Sequence, residues 1–303
     1  MKLAHGFFIT LLALVITMPS YAAITTVVIS GLGGNAEYKE QFASYATRIA
    51  DEARRSAGSP QDVIMVRGDA AKRSIILGLL NNLSKGKPLD TLVVYLIGHG
   101  SFDGEIYKFN IPGADITGDE IINALNALKT RRQLIVVATS ASGALLEPLA
   151  RDNRVVITAT KNGRERNAVQ FPRYLVEALS GRTADTDKNE IISAQEMFAY
   201  TDRAVANHYE TEKLLASEHP RISGTLAENI EVARYGTLLA RKASIPEKLL
   251  TQRDDISARI NALRLRKDDL NEDDYFDLLE PLMLELSGIQ TAIDQAGTTK
   301  NAN

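Results

Sequence analysis

Between residues 24 and 160 the chain alternates short β-branched runs with longer amphipathic segments, and this alternation restricts the possible folds more than any other feature. The short runs are rich in Val and Ile and almost continuously apolar, which is typical of parallel strands covered on both faces. We predict strands at Thr25–Ser30, Asp62–Val66, Thr91–Ile97, Gln133–Thr139 and Arg154–Thr160, and helices at Glu37–Ser56, Ala71–Leu83, Gly118–Lys129 and Gly143–Ala150. The sequence therefore predicts an α/β fold in three layers, with a mostly parallel sheet between two layers of helices.

The first 22 residues have the organisation of a signal peptide. Lys2 precedes an apolar run, Phe7–Met18, which is too short to cross a bilayer comfortably as a helix. Ser20 and Ala22 supply the small side chains that signal peptidase requires, so we predict cleavage after Ala22. We expect the mature protein to be exported, either periplasmic or secreted, and an uncleaved membrane anchor is the alternative.

Composition and charge exclude further classes of function. The chain contains no cysteine, so neither disulfides nor thiols contribute to its folding or chemistry. Its formal net charge of -3 at pH 7 argues against nucleic acid as a partner. After the signal peptide, no apolar run approaches the length of a membrane span, so stable membrane insertion is not expected.

Beyond residue 222 the sequence changes to long charged helices. The segment Ser244–Glu247 matches a capping box with proline in the first helical turn. Apolar residues then recur at spacings of three and four, which predicts an antiparallel helical hairpin: Leu279, Leu282, Leu286, Ile289 and Ile293. This hairpin either packs on the chain itself or supports self-association. We thus predict three segments, a signal peptide at 1–22, an α/β domain at 23–224 and a C-terminal helical region at 225–303.

Two of the predicted strands end in side chains that hydrolytic sites use. The third strand ends in Gly98–Ser101, with the sequence GHGS, and the fourth ends in Thr139–Gly143, with the sequence TSASG. Ligands of an open parallel sheet bind outside the carboxyl ends of its strands, so His99 and Ser140 would face one substrate if the two strands are neighbours. A serine, a histidine base and backbone N–H donors are the minimum for acyl transfer. The alternative is a glycine-rich turn and a helix N-cap.

The order of these motifs resembles that of the caspase-fold peptidases of the legumain-like clan. That family places its base at His-Gly and its nucleophile at Cys-x-Ser-Gly, and this sequence has His99-Gly100 and Ser140–Gly143. The run Val156–Thr160 resembles the next strand of the family. The resemblance covers roughly residues 24–220 and implies a caspase-like fold. It also implies that His99 is the base, that Ser140 takes the nucleophile position, and that the N–H groups of Gly100 and Ser140 form the oxyanion hole.

Serine at the nucleophile position leaves two functions open. A thiol with a pKa of about 8.5 forms some thiolate at neutral pH, whereas a serine hydroxyl requires a well-oriented base. The chain is therefore either a peptidase with a His99/Ser140 dyad or a catalytically inactive module that binds an extended peptide in the same cleft. Asp103 and Glu165 are the candidates for orienting His99. The predicted substrate-binding residues lie in the adjoining loops: Asp103, Ser142, Arg164 and Glu165.

Residues 185–196 match the twelve-residue EF-hand loop, so we predict a structural Ca²⁺ ion there. The predicted ligands are oxygen atoms of Asp185, Asp187, Asn189, Ile191, Ser193 and Glu196. Position six is Glu190 instead of glycine, and a left-handed conformation at a residue with a side chain costs about 1 kcal/mol. We expect a reduced affinity for this reason. The alternative is that Ser193 and Glu196 form a capping box without any metal.

The segment Gly31–Ala36 fits the loose G-x-G-x-x-A form of a dinucleotide-binding fingerprint. A dinucleotide site also needs an acidic residue about twenty positions later, at the end of the second strand. The acidic residue after the second strand is Asp69, in Arg67-Gly68-Asp69, and it lies too far along the chain for this role. These glycines are therefore predicted to form the first turn between strand and helix and not a nucleotide site.

Overall fold

The computed structural model describes residues 24–56, 62–235, 246–264, 267 and 270–298. The predicted signal peptide, residues 1–22, lies outside the described residues, so its cleavage stays a prediction. In the part of the chain that the structure describes, no helix combines the length and the apolar character that a membrane span needs.

The helices and strands follow the alternating order that the sequence predicts. In chain order they are β1 (Ile24–Ser30), α1 (Ala36–Ser56), β2 (Val63–Val66), α2 (Arg73–Lys85), β3 (Leu89–Gly98), β4 (Gly100–Phe102), β5 (Tyr107–Phe109), β6 (Ile116–Thr117), α3 (Gly118–Asn126), β7 (Thr130–Thr139), α4 (Leu146–Leu149), β8 (Arg154–Thr158), α5 (Phe171–Ser180), β9 (Ile191–Ser193), α6 (Ala194–Thr211), β10 (Arg221–Ser223), β11 (Glu231–Arg234), α7 (Glu247–Arg264) and α8 (Glu272–Thr298).

Six strands form the central sheet in the order β10-β8-β7-β3-β1-β2. The five strands predicted from the Val- and Ile-rich runs are mutually parallel, and β10 is antiparallel to β8 at one edge. The mostly parallel sheet is thus confirmed. The strand order reverses between β1 and β3, and open α/β sheets bind ligands in the crevice at such a reversal.

The sheet is covered on both faces, because successive side chains of a strand point to opposite sides. Val28 and Val93 pack in one core with α1, α5 and α6, whereas their neighbours Val27 and Val94 pack in a second core with α2 and α3. All four of these valines are buried. Burial of each such side chain contributes about 1.5–3 kcal/mol. The predicted three-layer α/β architecture is therefore confirmed.

Some helix ends in the structure match the local sequence pattern, and others differ from the predicted positions. A capping box begins α3, since the Thr117 hydroxyl accepts from the Glu120 N–H and the Glu120 carboxylate accepts from the Thr117 N–H. Helix α2 begins at Arg73, two residues later than predicted, because Gly68–Ala70 form a 3₁₀ turn. The helix predicted after β7 is mostly a 3₁₀ turn, Ser142–Leu145, so α4 itself is a single turn.

The segment after β3 folds into a small antiparallel sheet in the order β4-β5-β6. Tyr107 and Phe109 of β5 are buried in the core beneath α2 and α3. At one end of this sheet the Leu32 N–H donates to the Asn110 carbonyl, 2.8 Å away. The small sheet therefore lies beside the loop that follows β1, at the carboxyl ends of the central strands.

Strand β11 extends the packed domain beyond the boundary predicted at residue 224. It pairs with β9 in an antiparallel two-stranded sheet. Ile230, Val232 and Ala233 are buried in the same core as α1, α5 and α6. Packing of the α/β domain thus continues to the end of β11.

Helices α7 and α8 form the antiparallel hairpin that the apolar spacing predicts. Leu249, near the start of α7, packs against Ile289 and Ile293 in the last turns of α8. Arg259 and Glu285 form an ion pair across the hairpin, with a nitrogen–oxygen distance of 3.6 Å. Helix α8 continues through Pro281.

Candidate functional site

Strands β3 and β7 are neighbours, so the two predicted catalytic residues leave the sheet at the same level. The strands pair in parallel, and Gly98 is the register partner of Thr139. His99 follows Gly98 and Ser140 follows Thr139. The two positions thus lie at one edge of the sheet, about one strand spacing apart.

The His99 ring is held by contacts on the α1 side of this edge. Its centroid lies 4.8 Å from that of Tyr38 and 5.0 Å from that of Phe42, and both rings meet it edge-on. Burial lowers the pKa of His99, and a backbone hydrogen bond with Gly33 opposes this effect. Burial thus favours the neutral form of the imidazole. Among the described residues, no carboxylate hydrogen-bonds to it.

The Ser140 hydroxyl is buried, with 3% of the residue exposed. Its oxygen accepts from the Gly100 N–H at 3.5 Å, and no hydrogen bond joins it to the His99 ring in the described part of the chain. Gly100 is itself closely packed, because a Cβ atom there would lie 2.5 Å from the Ser140 carbonyl oxygen and 2.6 Å from the Tyr107 hydroxyl. The predicted dyad therefore shares one cleft without forming a hydrogen-bonded pair.

The turn after Ser140 is strained at Ala141, whose φ is 55°. A left-handed conformation costs a residue with a side chain about 1–2 kcal/mol. The Ala141 N–H donates to the Glu165 carbonyl at 2.7 Å, which ties the turn to the loop after β8. This contact fixes the direction in which the chain leaves Ser140. Strain of this kind is concentrated at functional sites.

Ser142, which the sequence predicts to contact a substrate, lies inside the protein. The residue is fully buried, and its hydroxyl lies 3.2 Å from the Thr160 hydroxyl and accepts from the Thr160 N–H at 3.2 Å. The Gly143 N–H donates to the same Thr160 hydroxyl at 2.8 Å. These bonds join the turn after β7 to the end of β8, so Ser142 helps to fix the position of the turn that contains Ser140.

The other predicted substrate-binding residues lie in the two flanking loops, and neither candidate carboxylate orients His99. Asp103 accepts from the N–H groups of Glu105 and Ile106 at 3.0 and 2.8 Å, so it closes the turn between β4 and β5. These hydrogen bonds lower the pKa of Asp103. Arg164 is exposed in the loop after β8, and its contact with a ligand stays a prediction.

Glu165 is engaged by His219, a residue 54 positions away. Its carboxylate lies 2.5 Å from His219 Nδ1 and accepts from the N–H groups of His219 and Lys161 at 3.1 and 2.8 Å. The backbone of the same residue holds Ala141. Nothing in the sequence near His219 indicates this contact, because it depends on β10 pairing beside β8.

Glu218 is a buried acid that the sequence does not reveal. Only 2% of it is exposed, and it accepts from the N–H groups of Gln170 and Phe171 at 2.6 and 3.1 Å and from the Tyr209 hydroxyl at 3.0 Å. Burial raises the pKa of Glu218 to about 7 against the effect of these donors. The carboxyl group satisfies the N-terminus of α5 and joins it to α6.

Two residues of the predicted calcium loop have left-handed backbone conformations. Lys188 and Glu190, at positions four and six, have φ values of 58° and 64°. Carboxylate oxygens of Asp185, Asp187 and Glu196 lie within 4.8 Å of one another. Burial and then the neighbouring carboxylate of Glu196 raise the pKa of Asp187 to about 6. The cluster therefore concentrates negative charge.

The remaining predicted ligands support the same loop. The Asn189 N–H donates to both aspartates at 3.1 Å, and its side chain accepts from the Ile191 N–H at 2.7 Å. Ser193 and Glu196 form the capping box of α6, as the alternative interpretation predicts. The cap and the acidic cluster coexist, so the presence of the cap does not decide whether a cation binds.

The glycines after β1 form a packed turn. A Cβ atom at Gly33 would lie 2.3 Å from the Lys39 nitrogen, and the Asn35 side chain accepts from the Tyr38 N–H at 2.9 Å. The helix N-terminus is thus capped by the chain itself. This arrangement agrees with the prediction of a simple turn between strand and helix.

Comparison with known proteins gives one family match. The model described as the peptidase C13 family matches residues 27–251, a span that contains the cleft and the acidic loop. Caspase-1 from Spodoptera frugiperda is 11% identical, with a TM-score of 0.48 over 71% of this chain and 91% of its own. The Drosophila initiator caspase Dronc is 10% identical, with a TM-score of 0.42 over 69% and 80%. No curated protein matches the chain.

Proposed function

The chain belongs to the peptidase C13 family, and from this premise we propose that it binds an extended peptide over His99 and Ser140 without hydrolysing it. One observation carries the second half of the proposal. The Ser140 hydroxyl is buried against the Gly100 N–H, and in the described residues it has no hydrogen bond to a base. The family membership supports a peptide as the ligand.

The environment of His99 argues against activation of Ser140. A serine nucleophile needs a base within hydrogen-bonding reach, and that base in turn needs an orienting group. The hydrogen bond of the His99 ring is directed to the backbone of Gly33, and its neighbours are the aromatic rings of Tyr38 and Phe42. A neutral imidazole in such a setting is suited to hydrogen-bonding a peptide group.

The Gly100 N–H supports the same conclusion. An oxyanion hole requires N–H donors that are free to meet the developing negative charge. Here the Gly100 N–H is directed to the Ser140 hydroxyl. In a hydrolase this donor would have to leave the hydroxyl during each turnover.

The decisive experiment replaces Ser140 with cysteine. We expect wild type to bind members of a capped octapeptide library, to leave them uncleaved, and to resist a fluorophosphonate probe. Ser140→Cys should gain cleavage, because a thiol ionises more readily than a hydroxyl. Adding His99→Ala should abolish that gain. Ser44→Cys, at an exposed position of α1, is the control for the reactivity of any introduced thiol.

The alternative is a serine peptidase with the His99/Ser140 dyad. It predicts that wild type itself cleaves library peptides and reacts with the fluorophosphonate, and that His99→Ala removes both activities. That result would contradict our proposal. Wild-type protein that neither binds nor cleaves any octapeptide would contradict both functions.

We also propose that the loop at residues 185–196 binds Ca²⁺ as a structural ion. The proposal is supported by the three carboxylates within 4.8 Å and by the left-handed turns at Lys188 and Glu190. A cation that binds only the folded protein raises its melting temperature. We expect a higher melting temperature in millimolar Ca²⁺ than in excess chelator, and a smaller difference in Asp185→Asn. Equal melting temperatures for wild type would contradict the site.

We propose that the protein is exported, because residues 1–22 have the sequence pattern of a signal peptide. Expression of the full chain in a host with a secretory pathway should release a protein whose first residue is Ala23. The measurement is the intact mass of the purified product. Retention of residues 1–22 in a membrane fraction would support the uncleaved anchor instead.

A further inference from the structure

The end of the central sheet opposite the cleft carries a concentration of positive charge. Three segments lead into the neighbouring strands β3, β7 and β8: residues 85–91, 129–132 and 151–154. They contain seven lysines and arginines but only two aspartates. The Leu89 N–H donates to the Lys129 carbonyl at 2.9 Å. The Gln133 N–H donates to the Asn153 carbonyl at 2.8 Å, so the three segments lie side by side. We call this surface the basic edge.

The exposed cations of the basic edge have no counter-charge among the described residues. Five of them are exposed and form no ion pair there: Lys85, Lys87, Lys129, Arg131 and Arg151. Arg132 donates through Nη1 to the Asn229 carbonyl at 2.9 Å, and its Nε is buried with no acceptor in the described part of the chain. Positive charge therefore accumulates at one edge of a chain whose net charge is negative.

Arg154, at the start of β8, adds a buried cation to the same edge. Only 1% of it is exposed, and its guanidinium donates only to neutral acceptors. Nε and Nη1 donate to Gln133 Oε1 and the Leu149 carbonyl, both at 2.8 Å, and Nη2 donates to Asn126 Oδ1 at 3.1 Å. Burial lowers the pKa of Arg154 to about 10, and the charge of Arg151 adds to this effect. Buried charges are normally paired, so negative charge brought to this edge would be stabilised.

Helix α8 carries charge of the opposite sign. Its segment Glu272–Glu285 has no lysine or arginine and has six exposed carboxylates: Glu272, Asp273, Asp274, Asp277, Glu280 and Glu285. In the described residues only Glu285 forms an ion pair, with Arg259. Four large apolar side chains of the segment are 50–67% exposed: Phe276, Leu278, Met283 and Leu284. Exposed apolar groups of this size are typical of interaction surfaces, and the charge around these favours a basic partner.

From these two surfaces we infer that the Glu272–Glu285 segment of α8 docks on the basic edge of a second copy of the chain. Within one chain, the described residues of the two surfaces share no hydrogen bond or ion pair, so each surface remains available. Fourteen residues of helix span about 20 Å, and three strands lie within about 10 Å, so the segment can cross all three strands.

A second copy satisfies both surfaces at once. Two chains that exchange α8 make the same contact twice, and reciprocal contacts of this kind close a symmetric dimer. The match to the peptidase C13 family ends at residue 251, so α8 lies outside it. The contact is also remote from His99 and Ser140, so the inference does not depend on the proposed function.

The test reverses the charge of each surface at exposed positions. The edge variant is Lys129→Glu/Arg131→Glu, and the helix variant is Asp273→Lys/Asp277→Lys. In light scattering at low salt, we expect wild type to have the mass of two chains. Each variant alone should have the mass of one chain, because like charges would then face each other. The dissociation constant of the wild-type dimer should rise at least about tenfold between about 0.1 M and 1 M salt.

An equimolar mixture of the two variants tests whether the contact joins two chains. In a mixed dimer the reversed edge meets the reversed helix, and the unchanged edge meets the unchanged helix, so both contacts regain opposite charges. We expect the mass of two chains to return, which would also show that both variants are folded. A chain with all four substitutions should dimerise as well. Lys39→Glu/Arg48→Glu, with the same change of net charge on α1, is the matched control and should keep the wild-type mass.

Three results would overturn the inference. The first is wild-type protein that keeps the mass of one chain at low salt and high concentration. The second is an edge or helix variant that dimerises as wild type does. The third is a loss of the dimer that neither the mixture nor the chain with four substitutions restores, because a contact between two copies requires that recovery.

Discussion

Glu218 should make the folded protein less stable as the pH rises through 7. Burial raises its pKa to about 7 from the ordinary value of 4.5. Between these two values the folded protein binds more protons than the unfolded chain, so the free energy of unfolding falls with rising pH. The stabilisation is complete below pH 4.5 and is lost as the pH passes 7. The difference corresponds to on the order of 3 kcal/mol, of which about 2–3 kcal/mol lies between pH 5 and pH 8.

Urea denaturation of wild type and Glu218→Gln at several pH values measures this effect. The variant has no group that titrates at this position, so its unfolding free energy should fall less than that of wild type between pH 5 and pH 8. Glu177→Gln, on the exposed side of α5, is the matched control and should keep the wild-type dependence. Parallel curves for wild type and Glu218→Gln would show that Glu218 ionises as easily in the folded protein as in the unfolded chain, and would refute the reasoning.

Three further perturbations test the neighbouring features. Tyr38→Ala should raise the pKa of His99 toward its usual value, because it exposes the ring; the check is an NMR titration of the imidazole, and an unchanged titration would contradict the role of burial. The rise in melting temperature on adding Ca²⁺ should be larger at pH 7.5 than at pH 5, because protons compete with the cation at Asp187, whose pKa is raised to about 6. An equal rise at the two pH values would show that Asp187 is not a ligand of the cation. Gly143→Ala places a Cβ atom 2.2 Å from the Asn162 nitrogen, so thermal unfolding should show a loss of about 1–3 kcal/mol.

The central sheet could be predicted from the sequence because its signal is local. Parallel strands covered on both faces must be continuously apolar, and five such runs are present. The strand ends were also predictable, because glycine follows or precedes the residues that leave the sheet, as at Gly98 and Gly143. The placement of His99 and Ser140 at one edge follows directly from the pairing of β3 with β7.

The contacts around these strand ends could not be predicted, because they join residues far apart in the chain. Glu165 meets His219 only because β10 pairs with β8 in the antiparallel direction. In the sequence, Ser142 looks the same as an exposed serine at a helix N-cap. Its burial depends on contact with Thr160, 18 residues later. The pairing of β9 with β11 was unpredictable for a similar reason, since neither short segment shows a strand pattern in the sequence.

Because of the geometry at Ser140, the substitution Ser140→Cys tests directly whether the cleft lacks only a reactive nucleophile. The Gly100 nitrogen lies 3.5 Å from Ser140 Oγ, so the hydrogen bond that restrains the side chain is a long one. The backbone at this turn is fixed independently of that atom, by the bond from Ala141 to Glu165 and by the buried hydroxyl of Ser142. The substitution therefore changes the reactivity of a side chain in a turn whose backbone is fixed by other contacts. Cleavage that appears in Ser140→Cys would mean that the cleft keeps the position of a nucleophile but lacks a reactive one.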